Sequence, residues 1–194
     1  MRLTLFSAAC LALAAPLGAA LTMTPQKADA FALKLSAVLA RGEAPPSGHR
    51  TEFHNDEVNA YLQLRLAPTF PNGVAEPSVA LEGKGRLSGR AVVDLDGIRK
   101  KSSGGWFDPS AYLAGKLPVT AVGTLKTAGG TGRLEIERAE VGGIPVPLTL
   151  LQELVTYYTR SPELPDGVRL SEPFALPSHI QRIDVDAGRA IVVQ

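Results

Sequence analysis

The stretch that most constrains this fold covers residues 118–158. It holds two alternating segments joined by Gly129-Gly130, then Gly-Gly-Ile-Pro-Val-Pro, then an apolar helical stripe. In the first segment Val119, Ala121, Gly123 and Leu125 point one way, and Thr120, Thr124 and Lys126 the other, the period of a half-buried strand. Gly129-Gly130 supplies the positive φ that a tight hairpin turn demands. The return segment sets Leu134 and Ile136 against Arg133, Glu135 and Glu137, and after Glu137 the phase flips so that Ala139 and Val141 become the apolar positions. A one-residue phase change within a strand is the mark of a β-bulge, and bulges bend sheets. Gly142-Gly143, Pro145 and Pro147 stop the strand, and Pro147 suits the first turn of a helix. That helix carries Leu148, Leu151, Leu154, Val155 and Tyr158 on one stripe, widened by Leu150. The stretch predicts a bent antiparallel ribbon packed on an apolar helix, and it contains no catalytic group.

Residues 1–20 have the pattern of an export signal: Arg2, an apolar run over 3–17, and Gly18-Ala19-Ala20 for a signal peptidase. The run is too short for a stable bilayer anchor, which needs ~20 apolar residues. Cys10 lies inside that run and lacks a Leu three residues earlier, so it does not fit a lipoprotein cleavage site. Cleavage near Ala20 predicts a periplasmic or secreted chain with no cysteine. It also removes Arg2 and so balances acidic against basic residues, which argues against a nucleic-acid partner. Nor does a neutral chain offer long-range attraction to anionic lipid.

Residues 21–48 are expected to form an N-terminal helix and linker, with residues 49–194 as a single α+β domain. Thr24 caps the first helix and Pro25 occupies its first position; Ala28, Phe31, Leu35, Val38 and Leu39 make its stripe, and Gly42 ends it. A short strand over 50–54 leads to Asn55 as the cap of a second helix, with Asp56 and Glu57 in its first turn. Val58, Tyr61, Leu62 and Leu66 face inward there, and Pro68 ends it. Residues 69–77 read as a connection. Val79 and Leu81 alternate, residues 82–85 turn, and Leu87, Gly89, Ala91, Val93 and Leu95 form one face of the clearest strand. Residues 97–116 then combine Arg99-Lys100-Lys101, flexible glycines, Trp106-Phe107 and Tyr112-Leu113, the make-up of a functional connection, with a short helix expected from Asp108. A Pro-rich link over 161–177 precedes a last hairpin across residues 186–188.

Catalytic chemistry finds little support. His49, His54 and His179 lack partners at metal-ligand spacing. Ser88 sits inside a strand rather than on a nucleophile elbow, and Gly83, Gly85 and Gly89 miss the dinucleotide spacing. Asp94 and Asp96 share a strand face as paired hydrolase carboxylates do, but they also fall where alternation places solvent-facing residues.

Size is more informative than charge. Gly89, Ala91, Ala121 and Gly123 are small inward residues bracketed by Leu87, Val93, Val119 and Leu125. They leave room for the protein's own helix or for an acyl chain. Burying a methylene contributes ~0.8 kcal/mol, so a tail of about 16 carbons has roughly 12 kcal/mol of gross drive, most of it cancelled by competing membrane.

The order of elements resembles small bacterial TULIP-like (tubular lipid-binding) envelope proteins, among them a periplasmic lipoprotein family and the LmeA-type phospholipid-binding proteins. The segments that carry the likeness are F-H-N-D-E-V-N-A-Y-L, L-S-G-R-A-V-V-D-L-D, L-P-V-T-A-V-G-T-L, I-E-R-A-E-V-G-G-I-P-V-P, L-L-Q-E-L-V-T-Y-Y and I-D-V-D-A-G-R-A-I-V-V. The likeness covers residues 53–193 and rests on apolar patterning, and the chain lacks a lipobox cysteine. It implies an α+β fold, a strongly curved antiparallel sheet wrapped around an apolar helix, with lipid held in the groove.

The expectation is a non-enzymatic protein without cofactor or metal that binds a lipid or other amphiphile. Leu87, Ala91, Val93, Val119, Ala121, Leu125, Leu134, Ile136, Leu151, Leu154 and Tyr158 would line the groove. Trp106, Phe107 and Tyr112 would touch membrane transiently, with Arg99, Lys100 and Lys101 near headgroups; the same loop also suits a flap over the core. Two alternatives stay open: an adaptor that binds a protein partner through a strand edge or the Trp106 loop, and a hydrolase using Asp94 and Asp96.

Overall fold

The long alternating segments pair with one another in sequence order. The computed structural model describes residues 23–42, 48–96, 115–162 and 164–194, and over these the chain is α+β. Strands β2 (Val74–Gly83), β3 (Arg86–Asp94), β4 (Lys116–Ala128), β5 (Thr131–Val141) and β6 (Ile144–Pro145) form an antiparallel sheet, with β7 (Phe174–Ala175) on β5. A separate three-stranded sheet has the order β1 (Arg50–His54), β9 (Arg189–Val193), β8 (Arg182–Asp186). The helices are α1 (Pro25–Arg41), α2 (Asn55–Tyr61) and α3 (Leu148–Thr159), and no closed barrel forms among the described residues.

The β4–β5 hairpin follows its sequence closely. Gly129 and Gly130 adopt φ of 56° and 79°, as the turn requires. Val122 pairs with Arg138 and Gly123 with Ile136, so the ladder skips Glu137, the residue after which the alternation changes phase. The bulge keeps Leu134, Ile136, Ala139 and Val141 on one face. Gly123 sits at this defect because a Cβ there would lie 2.6 Å from the Glu135 carbonyl oxygen.

Strand β2 begins at Val74, within the stretch expected to be a connection. Pro77 misleads because prolines usually break strands, but an edge strand with a bulge accepts one. The register slips between Ala75 and Ser78, and Glu76 takes a φ of 51° to make the slip. The outer edge of β2 is then covered by side chains of α2 and its continuation. Asn55 Oδ1 accepts from Leu81 N–H at 2.9 Å. Asn59 is fully buried and acts as a surrogate peptide: Oδ1 accepts from Val79 N–H at 2.8 Å, and Nδ2 donates to the Val79 carbonyl at 2.7 Å. Gln63 Nε2 donates to the Pro77 carbonyl at 3.2 Å. Positions four apart on a helix thus meet alternate residues of a strand.

Two expectations for this helix are corrected. The cap is His54, whose N–H donates to Glu57 Oε2 at 3.1 Å, while Asn55 is the first helical residue and spends its acceptor on β2. The α-helix also ends at Tyr61, passing into a π turn (Leu62–Leu66) and a 3₁₀ turn (Ala67–Thr69) that carries Pro68.

Helix α1 docks on the small sheet. Thr24 caps it by accepting from Lys27 N–H at 3.4 Å, and Val38 joins Phe53, Leu176, Ile180 and Val192 in a core that Phe31 and Leu35 border. Leu39 departs from the expected stripe and is 49% exposed. Gly42 closes the helix with φ of −62°, so it is no left-handed cap; a Cβ there would stand 2.5 Å from Ser178. The two sheets are tied by backbone bonds from Gly85 N–H to the Val185 carbonyl and from Gly188 N–H to the Leu81 carbonyl. The Thr127 hydroxyl adds a third tie, accepting from Ile183 N–H at 2.8 Å and donating to its carbonyl at 2.9 Å. No helix of the described residues is long and apolar enough to cross a membrane.

A candidate ligand groove under helix α3

Pro147 ends the extended chain, and the apolar stripe of α3 then settles on the inner face of the large sheet. Leu154 packs with Val93, Leu95 and Val141, bordered by Ala91, Leu117, Val119, Val146 and Tyr158. Leu148, expected on that stripe, is 46% exposed. The helix is also held from the solvent side. Gln152 donates to the Val168 carbonyl and accepts from Leu170 N–H, and the Thr159 hydroxyl accepts from Val168 N–H. At the far end the Tyr158 hydroxyl donates to the Asp94 carbonyl. Burial first, then the charges of Tyr157 and Asp94, push the Tyr158 phenol above its ordinary range, which keeps it a neutral donor.

Between α3 and strands β2 to β4 lies a groove of about 380 Å³ with an almost wholly apolar wall. That volume falls within the range of small-molecule sites. Its floor is built from cross-strand pairs Gly89 with Ala121 and Ala91 with Val119. Leu151, Leu154, Val155, Tyr158 and Thr159 form the helix side, and Phe70, Pro71, Val74 and Ser78 close the β2 side. Arg90 also borders the groove, but alternation along β3 sends its side chain to the opposite face from Gly89 and Ala91.

Gly89 separates two explanations for small inward residues. A Cβ built on Gly89 would meet nothing within 4 Å, although Gly89 lines the groove. Gly123, one row along the same face, is instead crowded by backbone. One glycine borders open space, and the other permits a close approach.

Of the residues expected to line a site, Ala91, Val93, Val119, Ala121, Leu151, Leu154 and Tyr158 come together around this groove. Leu87, Leu125 and Leu134 do not line it: Leu87 pairs with Leu81 and Gly123, and Leu125 with Leu134, nearer the hairpin turn. Ile136 lines a second cavity of about 440 Å³ together with Leu148, Leu151, Gln152 and Leu170. Phe70, Pro71 and Val74 were missed because their stretch reads as a loop; Val74 becomes visible only once β2 is recognised as an edge strand.

Trp106, Phe107, Tyr112, Arg99, Lys100 and Lys101, like residues 1–20, lie outside the described residues. The chain on either side of 97–114 meets at the end of β3. Leu95 N–H donates to the Gly115 carbonyl, and Gly115 N–H to Asp96 Oδ1 at 3.0 Å. Asp94 Oδ1 accepts from Asp96 N–H at 3.1 Å, so both carboxylates considered for hydrolysis bind backbone here. His54 lies 3.6 Å from Glu52, and no group of three metal-ligating side chains occurs among the described residues. No known family, curated protein or solved structure matches the chain.

Proposed function

We propose that this chain binds the hydrocarbon part of a lipid or similar amphiphile in the groove under α3, without catalysis, after export to the cell envelope. The supporting observation is Gly89, whose missing side chain leaves open apolar space where interior packing would otherwise be dense. An apolar wall holds a tail without directional bonds. A gross drive of ~0.8 kcal/mol per methylene, mostly offset by membrane, makes the exchange reversible. In this proposal the sheet and α3 serve as a TULIP-like lipid holder, and Trp106, Phe107 and Tyr112 contact the membrane during transfer. Asn55, Asn59 and Gln63 already occupy the outer edge of β2, which closes that edge to a strand-adding partner.

Gly89→Phe tests this directly. The new ring has room for its Cβ, so the melting temperature should hold or rise, since glycine is a poor strand residue. Uptake of a fluorescent straight-chain fatty acid should fall by about tenfold or more, the loss of roughly two buried methylenes or beyond. Unchanged uptake by a folded Gly89→Phe protein would place the ligand outside this groove.

A further inference from the structure

We infer that Leu151 sets the depth of the groove and so selects the chain length of its ligand, a single straight hydrocarbon tail that ends against this side chain. The inference rests on the groove being the binding site, and deepens it. Leu151 is the side chain common to two cavities, the groove of about 380 Å³ and the second space of about 440 Å³ beside Ile136. It therefore stands in the wall between them. At 4% exposure it is held by packing rather than free to swing aside.

The floor beneath that wall does not end there. The row formed by Ala121 and Ala139 is followed by the row of Gly123 and Ile136, and Ile136 lines the second cavity. Leu151 lines both cavities above these rows. The groove is near the lower limit for small-molecule sites, so it suits one tail rather than two. Chemistry draws the tail to the groove: Thr149, Gln152 and Ser171 put polar atoms around the second cavity.

The test measures displacement of a fluorescent fatty acid by saturated straight-chain fatty acids of roughly eight to roughly twenty carbons. Each methylene that enters the groove should tighten binding roughly fourfold, and methylenes beyond Leu151 should add nothing. Wild-type protein should thus show a length limit. Leu151→Ala should move the limit to longer chains, and Leu151→Val, which disturbs the core less, should move it the same way by a smaller step. Leu170→Trp, which adds bulk to the lining of the second cavity, should cancel the gain when combined with either. A limit that stays put in Leu151→Ala and Leu151→Val overturns the role of Leu151 while leaving the groove as a binding site. Failure of wild-type protein to bind any length overturns the groove, and this inference with it.

Discussion

At the scale of single residues, the contact between α1 and α2 joins a ring contact, Phe31 on Tyr61 with centroids 4.6 Å apart, to a set of ion pairs. Lys27 Nζ lies 2.6 Å from Asp56 Oδ2, Lys34 bonds both Glu57 oxygens, and Arg65 pairs with Asp29. The Lys27 ammonium, opposed by desolvation and helped by Glu57 N–H, holds the Asp56 carboxyl below the usual carboxylate range. A carboxyl whose folded value is depressed stabilises the fold above its unfolded value and loses that contribution as pH falls through the folded one. Lys27→Met should therefore cost under about 1 kcal/mol at neutral pH, because both partners are about one-third exposed. The gap from wild type in urea midpoint should close as pH falls below about 4, the range of an unfolded aspartate. A gap that persists unchanged to the acid end would assign it to packing of the lysine stem.

Glycines show how much of this scale the sequence carries. Gly129 and Gly130 announce a turn because a turn motif is local. Gly42, Gly89 and Gly123 look alike in sequence, yet one faces Ser178, one faces a groove and one faces the Glu135 carbonyl. What a missing side chain makes room for is a property of distant neighbours, and no window of sequence contains it.

Among elements, the most consequential device is the amide ladder from α2 onto β2. An unpaired edge invites aggregation, and Asn55, Asn59 and Gln63 answer it with side-chain amides in place of another strand. Asn59→Ala strands the part-buried Val79 N–H and carbonyl and should lower stability by about 2 kcal/mol or more. Asn55→Ala breaks one bond and should cost about 1 kcal/mol. Chemical denaturation would give that order; equal costs would show that the ladder does not bear on the edge. Strands β3 to β5, the bulge and α3 were legible because period and phase are written locally. The start of β2 was not, because Pro77 is acceptable only on an edge strand with a bulge, and edges are defined by what fails to pair.

For the whole molecule, alternation tells which residues face inward but not which strands meet. The last hairpin pairs with β1, far away in sequence, and builds a second sheet under α1 while the large sheet packs under α3. The expected groove residues divided accordingly. Those on the rows beneath Leu154 gathered around one space, and those near the hairpin turn did not. The bulge at Glu137 keeps apolar residues of β5 on the inner face along its length, and Ile136 among them lines the second cavity.

The central claim, that the groove holds a lipid tail, is tested most directly by native mass spectrometry of the chain purified from the cells that make it. The same chain, stripped of lipid, would then be offered vesicles of phosphatidylglycerol and phosphatidylethanolamine. The account predicts one lipid per chain, co-purified or taken up, and its loss in Gly89→Phe. A bare protein mass in both cases would contradict it and make the small inward residues a matter of packing alone.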